Sequence, residues 1–132
     1  MKTFTGATIA VVDDHDFVRN EMGDMLSSMG FKVLIKAANG KDFLLQLAGA
    51  AVIPDLCLLD IHMPVMDGVQ TVPCIKTLWP GIKILGWSID KNEMPAMLYN
   101  GADACILKGG DPLILKNKLL ELYAMTTAVS TL

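Results

Sequence analysis

The alternation of short apolar runs with amphipathic segments along the whole chain most constrains its fold. The apolar runs are near-continuous and are bounded by Gly, Pro or Asp; they are Thr8–Val12, Lys32–Ala37, Asp55–Leu59, Lys83–Trp87 and Ala104–Leu107. Such runs are typical of parallel strands covered on both faces. The other segments have helical patterning; they are Asp16–Met29, Lys41–Ala48, Val69–Leu78, Glu93–Asn100 and Pro112–Ala124. Strict alternation predicts an α/β fold with a doubly wound, five-stranded parallel sheet and right-handed crossovers.

The residues at the helix ends support these assignments. Gly30 and Gly101 follow the first and fourth helical segments, where a left-handed residue commonly ends a helix. Asp111 and Pro112 have the residue types of an N-cap and a first helical position. Pro73 falls inside the third segment, where it would remove a hydrogen bond and clash with the preceding turn. We therefore predict that this helix begins late, with Pro73 in its first turn, rather than being kinked.

The first helical segment carries a methionine-rich apolar stripe. Its members recur at spacings close to three and four and are Phe17, Met22, Met25, Leu26 and Met29. This spacing predicts one buried helix face. We interpret the stripe as core packing and not as a cofactor contact.

Size and composition favour a single domain. The chain has 132 residues, of which 52% are hydrophobic and 19% are charged, so it can bury a full core. We expect one domain over residues 1–132, with its core at about 8–124 and with 125–132 as a tail or the start of a linker. The net charge of −3 and the lack of clustered Lys and Arg argue against direct nucleic-acid binding by this domain.

Targeting signals and cysteine usage indicate a cytoplasmic protein. The sequence has no pattern of a secretory leader and no apolar stretch of the ~18 residues that a membrane span needs. Cys57, Cys74 and Cys105 are odd in number and lack metal-ligand spacing, which favours free thiols in a reducing compartment.

Chemically active residues stand at the carboxyl ends of the predicted strands. The first run is followed by Asp13 and Asp14, the third by Asp60, the fourth by Ser88 and the fifth by Lys108. In an open doubly wound sheet these ends form the ligand-binding edge. Clustered carboxylates need a cation, and a few carboxylates with room for water and phosphate suit Mg²⁺. A single Asp after a strand is usually a turn residue, but the joint pattern predicts a phosphoryl acceptor, with Asp60 as nucleophile.

Three stretches resemble the signatures of response-regulator receiver domains: Val11–His15, Leu59–Gly68 and Gly101–Lys108. The resemblance extends from residue 8 to about 124. It implies a flavodoxin/receiver-like (βα)5 fold with strand order 2-1-3-4-5 and a phosphorylation-activated switch of a two-component system. The Asp-Asp-His opening and a lysine not followed by proline are closest to LuxR-type transcription regulators.

The same resemblance implies a role for each site residue. Asp14 and Asp60 would ligate Mg²⁺ directly, Asp13 would act largely through water, and the backbone carbonyl of His62 would be a further ligand. Asp60 would accept the phosphoryl group from a histidine kinase or phosphotransfer protein.

Two further side chains would contact the phosphoryl group. Lys108 would pair with its oxygens, and Ser88 would move to hydrogen-bond them. The resemblance also implies a C-terminal DNA-binding output domain outside this chain and possible homodimerisation on activation.

Two positions depart from the residues that are usual in the family. Cys105 replaces the aromatic residue that is usual three positions before the lysine, which puts the usual aromatic switch in doubt.

Ile89, which follows Ser88, is bulky. We expect it to obstruct access to the site, giving slow phosphorylation and a long-lived phosphoryl state. His62 and Asp90 could instead position the hydrolytic water as a hydrogen-bonded pair, or project into solvent without effect.

Two other classes of function remain open. A small phosphatase or hydrolase with an aspartate nucleophile usually has a second acid–base Asp two residues later, where this chain has His62. A degenerate receiver used only for docking would have lost one of the five strand-end residues, and this chain has all of them.

Overall fold

The computed structural model describes residues 5–130, and it describes side chains as far as residue 126. Its sheet has five parallel strands in the order β2-β1-β3-β4-β5. The strands are β1 Thr8–Val12, β2 Lys32–Ala37, β3 Leu56–Asp60, β4 Lys83–Ser88 and β5 Ala104–Leu107. The predicted fold class and strand order are confirmed.

The helices cover both faces of the sheet. They are α1 Asp16–Ser28, α2 Gly40–Ala48, α3 Gly68–Leu78, α4 Met94–Tyr99 and α5 Pro112–Ser130, with a 3₁₀ turn at Lys91–Glu93 before α4. Side chains alternate across a strand, so Ala10 and Val12 join one core layer with residues of α2, α3 and α4. Ile9 and Val11 join the other layer with residues of α1 and α5.

The start of α3 differs from the prediction. The helix begins at Gly68, so the late start was wrong and Pro73 lies in its second turn. The start is fixed by a capping box in which the Asp67 carboxylate accepts the Gln70 N–H, and the Gln70 side chain accepts the Asp67 N–H. Pro73 is exposed; it lacks the N–H that would bond the carbonyl of Val69, and a proline ring inside a helix also crowds that carbonyl.

The predicted stripe on α1 is partly wrong. Met22 and Leu26 are buried, whereas Phe17 is 75% exposed. Residues advance about 100° around a helix, so Phe17, nine positions before Leu26, lies about half a turn away from it. The spacing of five between Phe17 and Met22 already breaks the three-and-four pattern.

The last helix is longer than predicted. α5 continues past Ala124 to Ser130, because no Gly or Pro interrupts the sequence there. The predicted tail at 125–132 is therefore helical as far as residue 130, and residues 131 and 132 lie outside the described part of the chain. No helix among the described residues is long and apolar enough to cross a membrane.

The predicted helix-end residues have the expected conformations. Gly30 and Gly101 have φ angles of +97° and +115°. A side chain would strain the backbone at these angles. Asp111 caps α5 by accepting the Leu113 N–H at 2.9 Å.

Candidate functional site

The carboxyl ends of three strands bring the predicted acidic and basic groups together. Asp60 is the last residue of β3, Asp13 follows β1, and Lys108 follows β5. Lys108 Nζ lies 3.0 Å from Asp60 Oδ1 and 3.3 Å from Asp13 Oδ2. The lysine therefore bridges two carboxylates whose residues are nearly inaccessible to solvent.

The environment of Asp60 opposes its ionisation. Burial raises the pKa of Asp60, while the hydrogen bond and positive charge of Lys108 lower it and the Asp13 charge raises it. Asp60 Oδ1 also accepts the Ile61 N–H at 2.9 Å, which orients the carboxylate. Because burial outweighs the lysine, a second cation at this site would favour the ionised, nucleophilic carboxylate.

The acidic pair after β1 fits a hard cation. Ligand atoms of Asp13, Asp14 and His15 all lie within 4.8 Å of one another. Asp14 Oδ1 is buried and has no hydrogen-bond partner within the described part of the chain, although His15 Nδ1 lies 3.2 Å from it. A buried carboxylate oxygen without a donor is costly, and a cation such as Mg²⁺ would satisfy it.

The turn after β1 and the loop after β3 hold these groups in place. Asp13 Oδ1 accepts the His15 N–H at 2.9 Å, and Arg19 donates to the Asp13 carbonyl at 2.7 Å. Gly68 donates its N–H to the Ile61 carbonyl at 2.8 Å. A Cβ at Gly68 would lie 2.4 Å from the Asp60 carbonyl oxygen, so only glycine allows this approach.

Ser88 ends β4 and is 2% exposed, with hydrogen bonds to the segment that follows. Its hydroxyl accepts the Asp90 N–H at 3.0 Å. The hydroxyl is also within donating distance of the Asp90 carbonyl, at 3.0 Å, and of Glu93 Oε2, at 3.2 Å. The side chain is thus engaged by the β4–α4 segment.

The structure does not form the predicted pair between His62 and Asp90. His62 Nε2 instead lies 2.6 Å from Glu93 Oε1, and the Asp90 carboxylate accepts the Asn92 N–H at 2.9 Å. Contact with Glu93 raises the pKa of His62. Glu93 is a site residue that sequence reasoning missed, because it occupied the first place of a helical segment and no motif marked it. Only the fold brings it to His62.

Ile89 and Cys105, the two other positions predicted to matter, differ from each other in solvent exposure. Ile89 is 80% exposed beside Ser88. Cys105 is half-buried opposite Gly86 on β4, where a Cβ at residue 86 would lie 2.3 Å from the cysteine sulfur. The glycine leaves room for the cysteine against the core layer under α4, so the space next to β4 is filled without an aromatic ring.

The fold and this strand-end site define a receiver domain, and comparison with known proteins identifies the same class. The response regulator receiver domain family matches residues 9–120, and the chain belongs to it. Proteins of this family act as phosphorylation switches in two-component signalling. The expectation drawn from the sequence motifs is confirmed.

The curated proteins that are similar to this chain include a response regulator and an enzyme. The chain is 33% identical over 109 residues to the nitrate/nitrite response regulator protein NarL of Escherichia coli, covering 80% of this chain and 50% of NarL. It is 40% identical over 112 residues to a protein-glutamate methylesterase/protein-glutamine glutaminase of Clostridium acetobutylicum, covering 81% of this chain and 32% of that protein. The chain thus spans half or less of the length of these relatives.

Solved structures agree on the fold. A CheY-like response regulator receiver domain protein from Methanospirillum hungatei superposes with a TM-score of 0.81 at 26% identity, covering 92% of this chain and 97% of that one.

Proposed function

We propose that this chain is the receiver of a two-component signalling protein in which Asp60 accepts a phosphoryl group in the presence of Mg²⁺. The observation that carries the proposal is the position of Lys108, whose ammonium lies 3.0 Å from Asp60 Oδ1 and 3.3 Å from Asp13 Oδ2. A cation beside a buried carboxylate can neutralise charge that develops on phosphoryl oxygens during in-line transfer. An aspartate phosphatase fits the site less well, because His62 occupies the position of its second acid and contacts Glu93.

The metal would be held by the acidic edge of the sheet. Asp14 and Asp60 would ligate Mg²⁺ directly, Asp13 would contribute largely through water, and the His62 carbonyl would be a further ligand. The ion would supply positive charge next to the phosphoryl oxygens. Support comes from Asp14 Oδ1, which is buried and accepts no hydrogen bond from the described residues, because a cation stabilises a carboxylate oxygen in that position.

The donor and the output are further parts of the proposal. We infer that a sensor histidine kinase or phosphotransfer protein in the cytoplasm supplies the phosphoryl group, and that the domain catalyses its own phosphorylation and dephosphorylation. A DNA-binding domain and homodimerisation on activation would fit a transcription regulator, in line with the designation of NarL as a response regulator. Ser88 would move to hydrogen-bond the phosphoryl oxygens.

Access to the phosphoryl site would be tuned by neighbouring residues. The 80% exposed side chain of Ile89 projects beside Ser88, which supports a role in obstructing small donors and water. His62, held by Glu93, and Asp90, whose carboxylate caps the 3₁₀ turn, could each alter hydrolysis. The decay rate of phosphorylated His62→Ala and Asp90→Ala variants measures those contributions.

A phosphate mimic tests the proposal. Beryllofluoride should change the fluorescence of Trp87, which adjoins Ser88, only when Mg²⁺ is present; a Trp79→Phe background isolates the signal. Asp60→Asn should abolish the change, whereas Asp24→Asn, an exposed substitution on α1, should leave it intact. A response without Mg²⁺, or one retained in Asp60→Asn, would refute the assignment.

A further inference from the structure

Glu93 links two segments that border Asp60. Its Oε1 lies 2.6 Å from His62 Nε2, on the loop after β3, and its Oε2 lies 3.2 Å from Ser88 Oγ, at the end of β4. The Glu93 side chain is 29% exposed and that of His62 is 71% exposed. An ionised carboxylate only accepts hydrogen bonds, so His62 donates in the first contact, and a hydrogen bond in the second contact needs the proton of Ser88.

The Ser88 hydroxyl has one proton to give. It already accepts the Asp90 N–H, and its proton is directed to the Asp90 carbonyl or the Glu93 carboxylate. A phosphoryl group on Asp60 would need the same proton for a hydrogen bond. Because a hydroxyl has a single O–H, the bonds from Ser88 to Glu93 and to a phosphoryl oxygen exclude one another.

We propose that Glu93 is a positioning residue that holds Ser88 in the unphosphorylated arrangement, so that phosphorylation of Asp60 releases Glu93. This inference rests on the proposed function and adds a regulator to the same site. Glu93 is the last residue of the 3₁₀ turn and directly precedes Met94, the first residue of α4. Its release would therefore act on the start of α4 through the backbone, without an aromatic ring as intermediary.

The hydrogen bond between Ser88 and Glu93 should oppose phosphorylation of Asp60. Breaking a hydrogen bond to a charged carboxylate has a cost that the new bond to the phosphoryl group must offset. Removing the carboxylate should therefore raise the affinity for a phosphate mimic. The effect should depend on the serine hydroxyl, because the serine is the group for which Glu93 competes.

A mutant cycle with beryllofluoride at saturating Mg²⁺ tests the inference. Glu93→Ala should bind the mimic about tenfold more tightly than wild type, and Glu93→Gln, which keeps an acceptor but loses the charge, should give a smaller increase. In a Ser88→Ala background the Glu93→Ala substitution should have no effect. Asn92→Ala, on the same 3₁₀ turn, is the matched control and should bind like wild type.

The outcomes separate the two proposals. If wild type fails to bind the mimic with Mg²⁺, or Asp60→Asn binds it equally well, the proposed function fails and this inference with it. If wild type binds normally but Glu93→Ala does not tighten binding, or tightens it equally with Ser88→Ala, only the role of Glu93 is refuted.

A spectroscopic readout follows Glu93 directly. The chain has two histidines, so the ring resonances of His62 can be identified by their loss in His62→Asn. After saturation with Mg²⁺, addition of the mimic should move these resonances toward their position in Glu93→Ala. A His62 signal that stays at its Mg²⁺-saturated position while the mimic binds would show that Glu93 is not released.

Discussion

The surroundings of Asp60 determine the ionisation and the orientation of its buried carboxylate. Its exposure is 6%, and burial alone would favour the neutral acid. Lys108 at 3.0 Å compensates part of this cost, and the Ile61 N–H fixes the orientation of one oxygen. The part of the desolvation cost that Lys108 leaves uncompensated explains why a metal ion beside Asp13 and Asp14 would increase the reactivity of the Asp60 carboxylate.

The side chain of Ile89 should affect the rate at which Asp60 is phosphorylated. If the exposed side chain of Ile89 obstructs access to Asp60, as proposed, Ile89→Ala should speed labelling of Asp60 by a small phosphodonor about tenfold, equivalent to ~1.4 kcal/mol in barrier height. The measurement is the rate of phosphoprotein formation by intact mass. Leu98→Ala, an exposed apolar residue on α4, is the control. Unchanged labelling and decay in Ile89→Ala would disprove obstruction.

The three cysteines should differ in their reactivity toward alkylating agents. Burial raises the pKa of Cys105 to about 11 and raises that of Cys57 further, so both are thiols at neutral pH. The thiolate is the reactive form. Iodoacetamide at pH 8 should therefore modify half-buried Cys74 before the other two, and Cys105 should gain reactivity as the pH rises toward 11. Peptide mapping in which Cys57 or Cys105 reacts first in the folded protein would contradict this packing.

In α3, a helix-breaking residue in the local sequence conflicts with the tertiary structure. Asp67 and Gln70 form the capping box that starts the helix, and Gly68 lets it approach β3. The same helix then accommodates Pro73 in its second turn, on an exposed position. The cap and the close packing outweigh the missing hydrogen bond of one proline.

Pro73→Ala should therefore stabilise the protein. Alanine restores an N–H to the Val69 carbonyl and removes the ring clash, so the free energy of unfolding should rise by about 2 kcal/mol. Thr77→Ala, also exposed on α3, should change it by less than about 0.7 kcal/mol. Urea denaturation measures both. A lower free energy of unfolding for Pro73→Ala would contradict this account and would indicate that α3 begins at the proline.

The periodicity of apolar residues predicted which strands and helices form, but it predicted the ends of some helices less accurately. The strands could be predicted because each is a short apolar run; three have the predicted bounds in the structure, and the ends of the other two differ from it by no more than one residue. The start of α3 depends on the Asp67–Gln70 cap, whose signal conflicts with the helix-breaking signal of Pro73. The end of α5 lacks any breaker after Ala124, so no sequence signal marks it.

The site exists only when the whole sheet is assembled. Asp13 and Lys108 are separated by 95 residues in sequence and are joined by a 3.3 Å contact. Their convergence could be predicted because parallel strands place their carboxyl ends at one edge. Glu93 could not be predicted, since its contact with His62 depends on how the β4–α4 segment folds over the loop after β3.

Metal binding should stabilise the whole fold, because a ligand that binds only the native state shifts the unfolding equilibrium. At ten times its dissociation constant, Mg²⁺ should add about 1.4 kcal/mol, which corresponds to a rise in Tm of about 4 °C. Asp14→Asn should remove this rise, and NaCl at matched ionic strength should not reproduce it. A Tm that is independent of Mg²⁺ in wild type would refute the metal site.

The most direct test of the phosphorylation switch is labelling of the intact chain by acetyl phosphate. With Mg²⁺ present, wild type should gain the mass of one phosphoryl group, and the gain should disappear when the metal is chelated. Asp60→Asn should show no adduct, whereas Asp24→Asn should be labelled like wild type. A stoichiometric, Mg²⁺-dependent adduct that persists in Asp60→Asn would contradict the assignment of Asp60 as the acceptor.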